Sequence, residues 1–336
     1  MLLNSSDSGD APAAVALAAE KQAPLLMTSG GSLNTAAANE LKRTLRKGWT
    51  VYLEGSTSEL SAKVASQVQA LGYKVDRIGA TDPTDESVLT AKATTSAPTW
   101  IVLADDMDYR TALSAAAMAG SAGNHGRMVV LLNNSWGLPA SIASYMNGLN
   151  AASTRLLAVG SRSINALETT RGLRSEWHFW DYAGSNGESL ALNLAGFWWG
   201  GEWEATVANN SGWNDGAVAA ADAATYGPLL WTSPKYLSPD TAAFLTRESA
   251  SINDVQLYGT AGFPSNTLWE IEGAIAANAS GTQFIKAPNG APVLPAAAHA
   301  LAAGAQPATG GVAADARTAG TPSPSLSAPQ SSTAGR

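Results

Sequence analysis

The chain has no cysteine. That excludes disulfides, thiolate zinc sites and cysteine nucleophiles together, and it does not fix the compartment. Charge is scarce: charged residues are 14% of the 336, too few for a coiled coil. The balance is 20 basic against 27 acidic residues, a net charge of −7, with no basic stripe to neutralise phosphates. Nucleic acid is therefore not expected as a partner. No apolar run approaches the roughly 18 residues of a membrane span, so none is expected. Met1-Leu2-Leu3 runs straight into Asn4-Ser5-Ser6-Asp7, without the basic start and apolar length of a signal peptide. Nucleophile-elbow, phosphate-loop, dinucleotide-fingerprint and His-Glu-x-x-His patterns are absent, and the three histidines, His125, His178 and His299, lie in unlike contexts. No enzymatic activity and no cofactor are expected.

What is present is a globular composition, 45% hydrophobic, which excludes wholesale disorder. Proline gathers beyond Ala287, and the last aromatic residue is Phe284. Residues 287–336 therefore read as a disordered Pro/Ala/Ser-rich tail. Upstream, three landmarks recur at roughly 100-residue spacing, about the size of a small domain. The doublet Leu25-Leu26 returns as Leu131-Leu132 and Leu229-Leu230. Leu33, Leu138 and Leu237 follow each doublet. Apolar runs ending in Gly55, Gly160 and Gly259 close each set.

Within a unit, short apolar runs alternate with helical patterns. In the first, Leu2-Leu3, Pro24–Thr28, Thr50–Glu54 and Tyr73–Ile78 read as strands. Ala11–Lys21 and Asn34–Lys47 read as helices, and a third, capped by Ser58, carries a Leu60/Val64/Val68/Leu71 stripe. The basic residues from Lys42-Arg43 to Arg46-Lys47 read as a solvated face. Strict alternation with short turns implies a parallel sheet with helices on both faces, made doubly wound by right-handed crossovers. The expected organisation is repeat one over 1–82, repeat two over 83–183 and repeat three over 184–286.

Ala23-Pro24-Leu25-Leu26-Met27-Thr28, Gly227-Pro228-Leu229-Leu230-Trp231-Thr232, Asp10-Ala11, Asp215-Gly216-Ala217 and Val75-Asp76-Arg77-Ile78-Gly79 together resemble the cell wall binding repeat 2 family of Gram-positive bacteria. The resemblance runs from about Leu2 to Ile285. Repeat two departs from it, with Thr111 at the aspartate position and no proline before Leu131-Leu132. The first repeat lacks the helix and Arg-Ile-Gly element that should precede its first strand, which reads either as an N-terminus that starts late or as a divergent or partial copy. The resemblance implies three tandem repeats in pseudo-threefold packing. It also implies non-covalent, non-enzymatic binding to a cell wall polysaccharide that anchors a surface protein outside the cell. Self-association as a structural surface protein is a further reading.

Two clusters carry the remaining chemistry. Asp105, Asp106 and Asp108 follow the strand Trp100–Ala104. They are candidate Mg²⁺ ligands for a phosphoryl-transfer or hydrolytic enzyme, against the plainer reading that they favour the next helix N-terminus. Of eleven tryptophans, six fall between Trp177 and Trp213. Indole faces pack on sugar rings, but core and interface packing explains most such residues. Trp213, in an Asn/Gly-rich loop, is the best candidate for exposure. Ligands of open α/β sheets collect at strand carboxyl ends, so the expected sugar contacts are Asp10, Tyr109, Arg110, Trp213, Asn214 and Asp215. The Ala-rich helices Ala11–Ala19, Ala112–Ala119 and Ala217–Ala224 are expected to pack the repeats together, because small residues permit close approach.

Overall fold

In the computed structural model, residues 1–121, 127–259, 262–279, 284–286 and 292–293 are described. His125, His299 and residues 294–336, the bulk of the expected tail, lie outside them. Three sheets follow one another along the chain. The first contains β1 (Leu2–Asn4), β2 (Leu26–Thr28), β3 (Thr50–Glu54) and β4 (Lys74–Ile78), all parallel, in the order β2-β1-β3-β4. The second contains β5 (Trp100–Asp105), β6 (Met128–Asn133), β7 (Arg155–Val159) and β8 (Phe179–Tyr182), in the order β6-β5-β7-β8. The third contains β9 (Glu204–Asn209), β10 (Leu229–Thr232), β11 (Asp254–Tyr258) and β12 (Phe284–Lys286), in the same order again. A short β13 (Pro292–Val293) pairs antiparallel with β12. These two residues belong to the segment expected to be disordered.

The doublets Leu25-Leu26, Leu131-Leu132 and Leu229-Leu230 thus mark the same edge strand three times. In each sheet the second strand lies on one side of the first and the third strand on the other, so the connecting helices cover both faces. The helices after the first strands are α1 (Ala11–Glu20), α5 (Tyr109–Ser121) and α10 (Trp213–Tyr226). All three carry nearly unbroken buried alanine faces and share one hydrophobic core, and they pack directly on one another. At their meeting point a Cβ added to Gly120 would lie 2.7 Å from the Ala224 Cβ and 2.8 Å from the Ala19 Cβ. The threefold centre exists because nothing larger than alanine stands there. The outer faces of the first two sheets have smaller cores of their own, built on Leu53, Leu60 and Val64 in one and on Ile101, Leu131 and Leu156 in the other.

Two helix boundaries differ from the sequence reading. The stripe helix α3 (Ala62–Ala70) begins after Ser61, not Ser58. Helix α2 (Thr35–Thr44) ends before Arg46-Lys47, because Leu45 is extended and Gly48 turns the chain at φ +84°. The intervening helices α4 (Pro83–Thr94) and α9 (Gly187–Trp198) lead from one sheet to the next and pack against β6 and β10 respectively. The junction between the second and third units is aromatic. Trp100 sits 5.3 Å from Trp180 and edge-on to Trp198, and the Trp198 Nε1–H donates to Ser121 Oγ at 2.7 Å. Trp231, fully buried, donates to Ser114 Oγ at 2.9 Å and packs edge-on to Tyr109. These tryptophans fill the junction, as the plainer reading of the cluster expects.

Candidate functional site

All three sheets turn their strand carboxyl ends toward loops that open helices, where parallel sheets gather ligands. Around the junction of units two and three these loops converge. The Tyr109 hydroxyl donates to the Asn210 carbonyl at 2.8 Å, and burial raises its pKa. Arg110 grips Asp108 through Nε at 3.0 Å and Nη2 at 2.7 Å, and its Nη1 lies 3.8 Å from Glu188 of α9. Asp108 also accepts the Arg110 backbone N–H at 3.0 Å, capping α5. Trp213 is half-buried against the shared core, so its Asn/Gly-rich loop hides more of it than the sequence implies. Asn214 and Asp215 lie in the first turn of α10, and the Asn214 Oδ1 is buried without a hydrogen-bond partner.

Asp10 lies elsewhere, at the junction of units one and two. It is 3% exposed and makes no side-chain cap bond, so helix capping describes Asp108 but not Asp10. Around it stand Asp7, Glu59, Glu86 of α4 and Glu54 of β3. Burial first, and neighbouring carboxylates second, push Asp10 up to about 7 and Glu86 up to about 9. Burial likewise lifts Glu54 to about 8, although the Thr90 hydroxyl donates to it. Across the junction, burial and Asp105 push Asp106 up to about 7, with Asp10 adding to the repulsion.

The acidic triple after β5 does not form one cluster. Asp105 Oδ1 accepts the Met107 N–H at 3.1 Å and Oδ2 the Arg162 N–H at 3.0 Å. Asp108 belongs to Arg110, and Asp106 faces the acids of unit one. Among the described residues, the acidic group in which three side chains each bring an oxygen within 4.8 Å of the others is instead Asp7, Asp10 and Glu59.

The structure also exposes aromatic residues that the sequence reading passed over. Trp136, 58% exposed, follows β6, and Tyr236, 53% exposed, follows β10. Arg162 stacks over Trp136 at 5.5 Å, while its Nη1 donates to the Asn134 carbonyl at 2.6 Å. Asn165 Nδ2 donates to the Trp136 carbonyl at 2.7 Å. In unit three, Thr232 Oγ1 donates to the Tyr236 carbonyl at 3.0 Å, and Glu270 accepts the Leu237 N–H at 2.8 Å. The same two ties recur in unit one, from Thr28 to Ser32 and from Gln67 to Leu33. Aligning the three doublets and reading the loop after each would have found Trp136 and Tyr236.

The family model described as Cell wall binding domain 2 (CWB2) matches residues 3–65. Over these residues the first unit is similar to that cell wall binding family. The resemblance read from the sequence is thereby borne out, and the second and third sheets repeat the topology of the first. Over 93 residues the chain is 32% identical to the N-acetylmuramoyl-L-alanine amidase LytC of Bacillus subtilis (strain 168), a stretch that is 28% of this chain and 18% of that protein. Among solved structures it is similar to Cwp8 from Clostridium difficile, with a TM-score of 0.69 and 20% identity over 82% of this chain and 47% of that one. Similarity to Cwp6 from Clostridium difficile gives a TM-score of 0.68 and 18% identity, over 84% and 44%. The chain spans less than half the length of each. Among the described residues no helix is long and apolar enough to cross a membrane.

Proposed function

We propose that this chain binds a cell wall polysaccharide non-covalently at the strand carboxyl ends of units two and three, and so holds a surface protein on the bacterial envelope. The observation that carries the reading is the cell wall binding match in the first unit, on a topology that the chain then repeats twice. A binding rather than catalytic role fits the side chains at the proposed face. Asp105, Asp108 and Arg110 are each committed to hydrogen bonds or ion pairs that hold loops. The exposed indole of Trp136, with Arg162 stacked on it, and the exposed ring of Tyr236 offer apolar faces for sugar C–H surfaces, with polar groups beside them for hydroxyls. Trp213, Tyr109 and Arg110 extend this face across the junction. In an acidic protein, Arg162 is the group there that attracts acidic substituents on the polymer.

Co-sedimentation with purified cell walls tests this. Trp136→Ala and Tyr236→Ala change exposed side chains and should leave the melting midpoint unchanged. Each is expected to weaken wall binding about tenfold, the size of one lost aromatic contact of roughly 1–1.5 kcal/mol. Arg162→Ala should reduce the salt sensitivity of binding. Trp213→Ala and Tyr109→Ala should weaken binding as well, once their lower stability is allowed for. Walls stripped of polysaccharide should bind none of the proteins. If all five variants bind intact walls like the parent, the proposed face is wrong. If stripped walls bind equally well, the polymer is not a polysaccharide.

A further inference from the structure

Unit three carries a groove between α11 (Pro239–Arg247) and α12 (Ser265–Ala276), the helices that follow β10 and β11. Its volume is about 380 Å³, within the range that holds small ligands. Ala242 and Thr246 of α11 line one side, and Glu270, Gly273 and Ala277 of α12 line the other. Leu237, just before α11, completes it. From Glu270 to Ala277 a helix rises about 10 Å, so the groove is a trough rather than a pit.

The α12 side of this trough begins with an aromatic patch. Trp269 is 61% exposed, more than any other large apolar side chain among the described residues. It lies one turn before Gly273, and residues four apart share a helix face. A Cβ added to Gly273 would meet nothing within 4 Å. Tyr236 stands beside the same turn. Asn266 Nδ2 donates to the Lys235 carbonyl at 3.4 Å, and Glu270 Oε2 accepts the Leu237 N–H at 2.8 Å. Both chain neighbours of Tyr236 are thus tied to α12, by residues that bracket Trp269. Two exposed rings are held on one fixed stretch of backbone, which lowers the ordering cost of binding. In unit one, Gln67 accepts the Leu33 N–H as Glu270 accepts that of Leu237. Counted from that bond, Ser66 stands in the place of Trp269. Leu71, packed on the unit-one core, stands in the place of Ala274, which lines the groove.

We propose, on the polysaccharide reading above, that this groove is a second sugar subsite, taking an uncharged, hydroxyl-rich stretch of the wall polymer with Trp269 and Tyr236 as its stacking platforms. Indole and phenol faces pack on the C–H faces of sugar rings. The Thr246 hydroxyl and the Glu270 carboxylate supply hydrogen-bonding groups for sugar hydroxyls. No basic side chain lines the groove, so an acidic sugar would meet Glu270 without a compensating cation. That separates this subsite from the loop around Trp136, where Arg162 favours acidic substituents. A protein partner fits less well. A stable interface buries roughly 800 Å² on each side, far more than the rings of Trp269 and Tyr236 offer.

Co-sedimentation with purified cell walls at low and high salt tests the subsite. Trp269→Ala removes a platform, and Gly273→Leu fills the trough. Both change exposed positions, so melting midpoints should match the parent's or, for Gly273→Leu, exceed it. Each should weaken wall binding about tenfold, by the same factor at low and high salt. If the parent needs the polysaccharide and both variants bind walls as it does, the subsite is wrong and the face at Trp136 stands. If the parent binds stripped and intact walls equally, the polysaccharide reading falls and the subsite with it. A loss in Trp269→Ala that shrinks at high salt marks a charged ligand and overturns the sugar class. A parent that dimerises with rising concentration, while Trp269→Ala stays monomeric, makes the groove an interface between copies and overturns the proposal.

Discussion

The melting midpoint should fall by on the order of 10 °C between about pH 5 and about pH 9. The cause is the acidic junction of units one and two. Unfolded, Glu54 and Glu86 ionise near 4.5 and Asp10 and Asp106 near 3.8; folded, they are pushed up to about 8, 9, 7 and 7. Between these limits the folded chain holds more protons than the unfolded chain, so stability must fall as pH rises. The contribution is complete below about pH 4 and is lost progressively until the pH passes about 9. For Glu54 alone, fully buried, the shift corresponds to on the order of 5 kcal/mol. Asp10 and Glu86 titrate as a pair, so their shares do not add. Asp7, Glu59, Asp82 and Asp105 add repulsion, and Arg77 opposes it through Glu86 and Glu59. Many acidic proteins lose some stability at high pH through general self-repulsion. Glu54→Gln and Glu86→Gln separate the two causes, because each removes one charge in seven net but a large share of the buried titration. Both should flatten the curve markedly. A midpoint that stays level from pH 5 to 9, or variants with the parent's slope, would show that these carboxyls ionise freely in the folded state.

How much of this was legible in the sequence differs by element. The doublets and the glycines that close each unit were readable because a parallel strand buried on both faces must be continuously apolar. That requirement leaves a mark at each copy, as Leu25-Leu26, Leu131-Leu132 and Leu229-Leu230 show. The alanine helices were readable for a related reason: close packing forbids larger side chains, and the restriction is visible over α1, α5 and α10. Side-chain fate at the junctions was not. Trp213 sits in a loop whose composition implies exposure, yet it packs against the shared core. Trp136 and Tyr236 stand in loops of similar character and are open to solvent. The difference lies in what another unit places above each loop, which no local pattern records. The acidic group had the same problem. Asp105, Asp106 and Asp108 are adjacent in sequence and part in space, whereas Asp7, Asp10 and Glu59 come from two loops and meet.

Gly120→Leu should destabilise the protein by about 3 kcal/mol, at the upper end of ordinary overpacking. At Gly120, α5 meets both α1 and α10. Its missing Cβ would already stand 2.7 Å from the Ala224 Cβ and 2.8 Å from the Ala19 Cβ, distances that real Cβ atoms do not reach. Both obstacles are the first atoms of short side chains, so neither can rotate away, and relief requires moving whole helices. Those helices carry the core that all three units share, so the strain spreads rather than being absorbed by one loop. Gly120→Ala poses the sharper question. Replacing a glycine in a helix interior by alanine normally gains about 1 kcal/mol of helix propensity, and less at Gly120, the last residue but one of α5. Here the steric cost should exceed that gain, leaving the variant less stable than the parent. Gly196 of α9 and Gly273 of α12 (Ser265–Ala276) supply the contrast, since an added Cβ there meets nothing within 4 Å. Gly196→Ala and Gly273→Ala should therefore be neutral or stabilising in urea titrations, while Gly120→Ala moves the other way. If all three alanine variants gain stability alike, the helices at the threefold centre stand further apart than these distances require, and the close approach of the three units at that point is wrong.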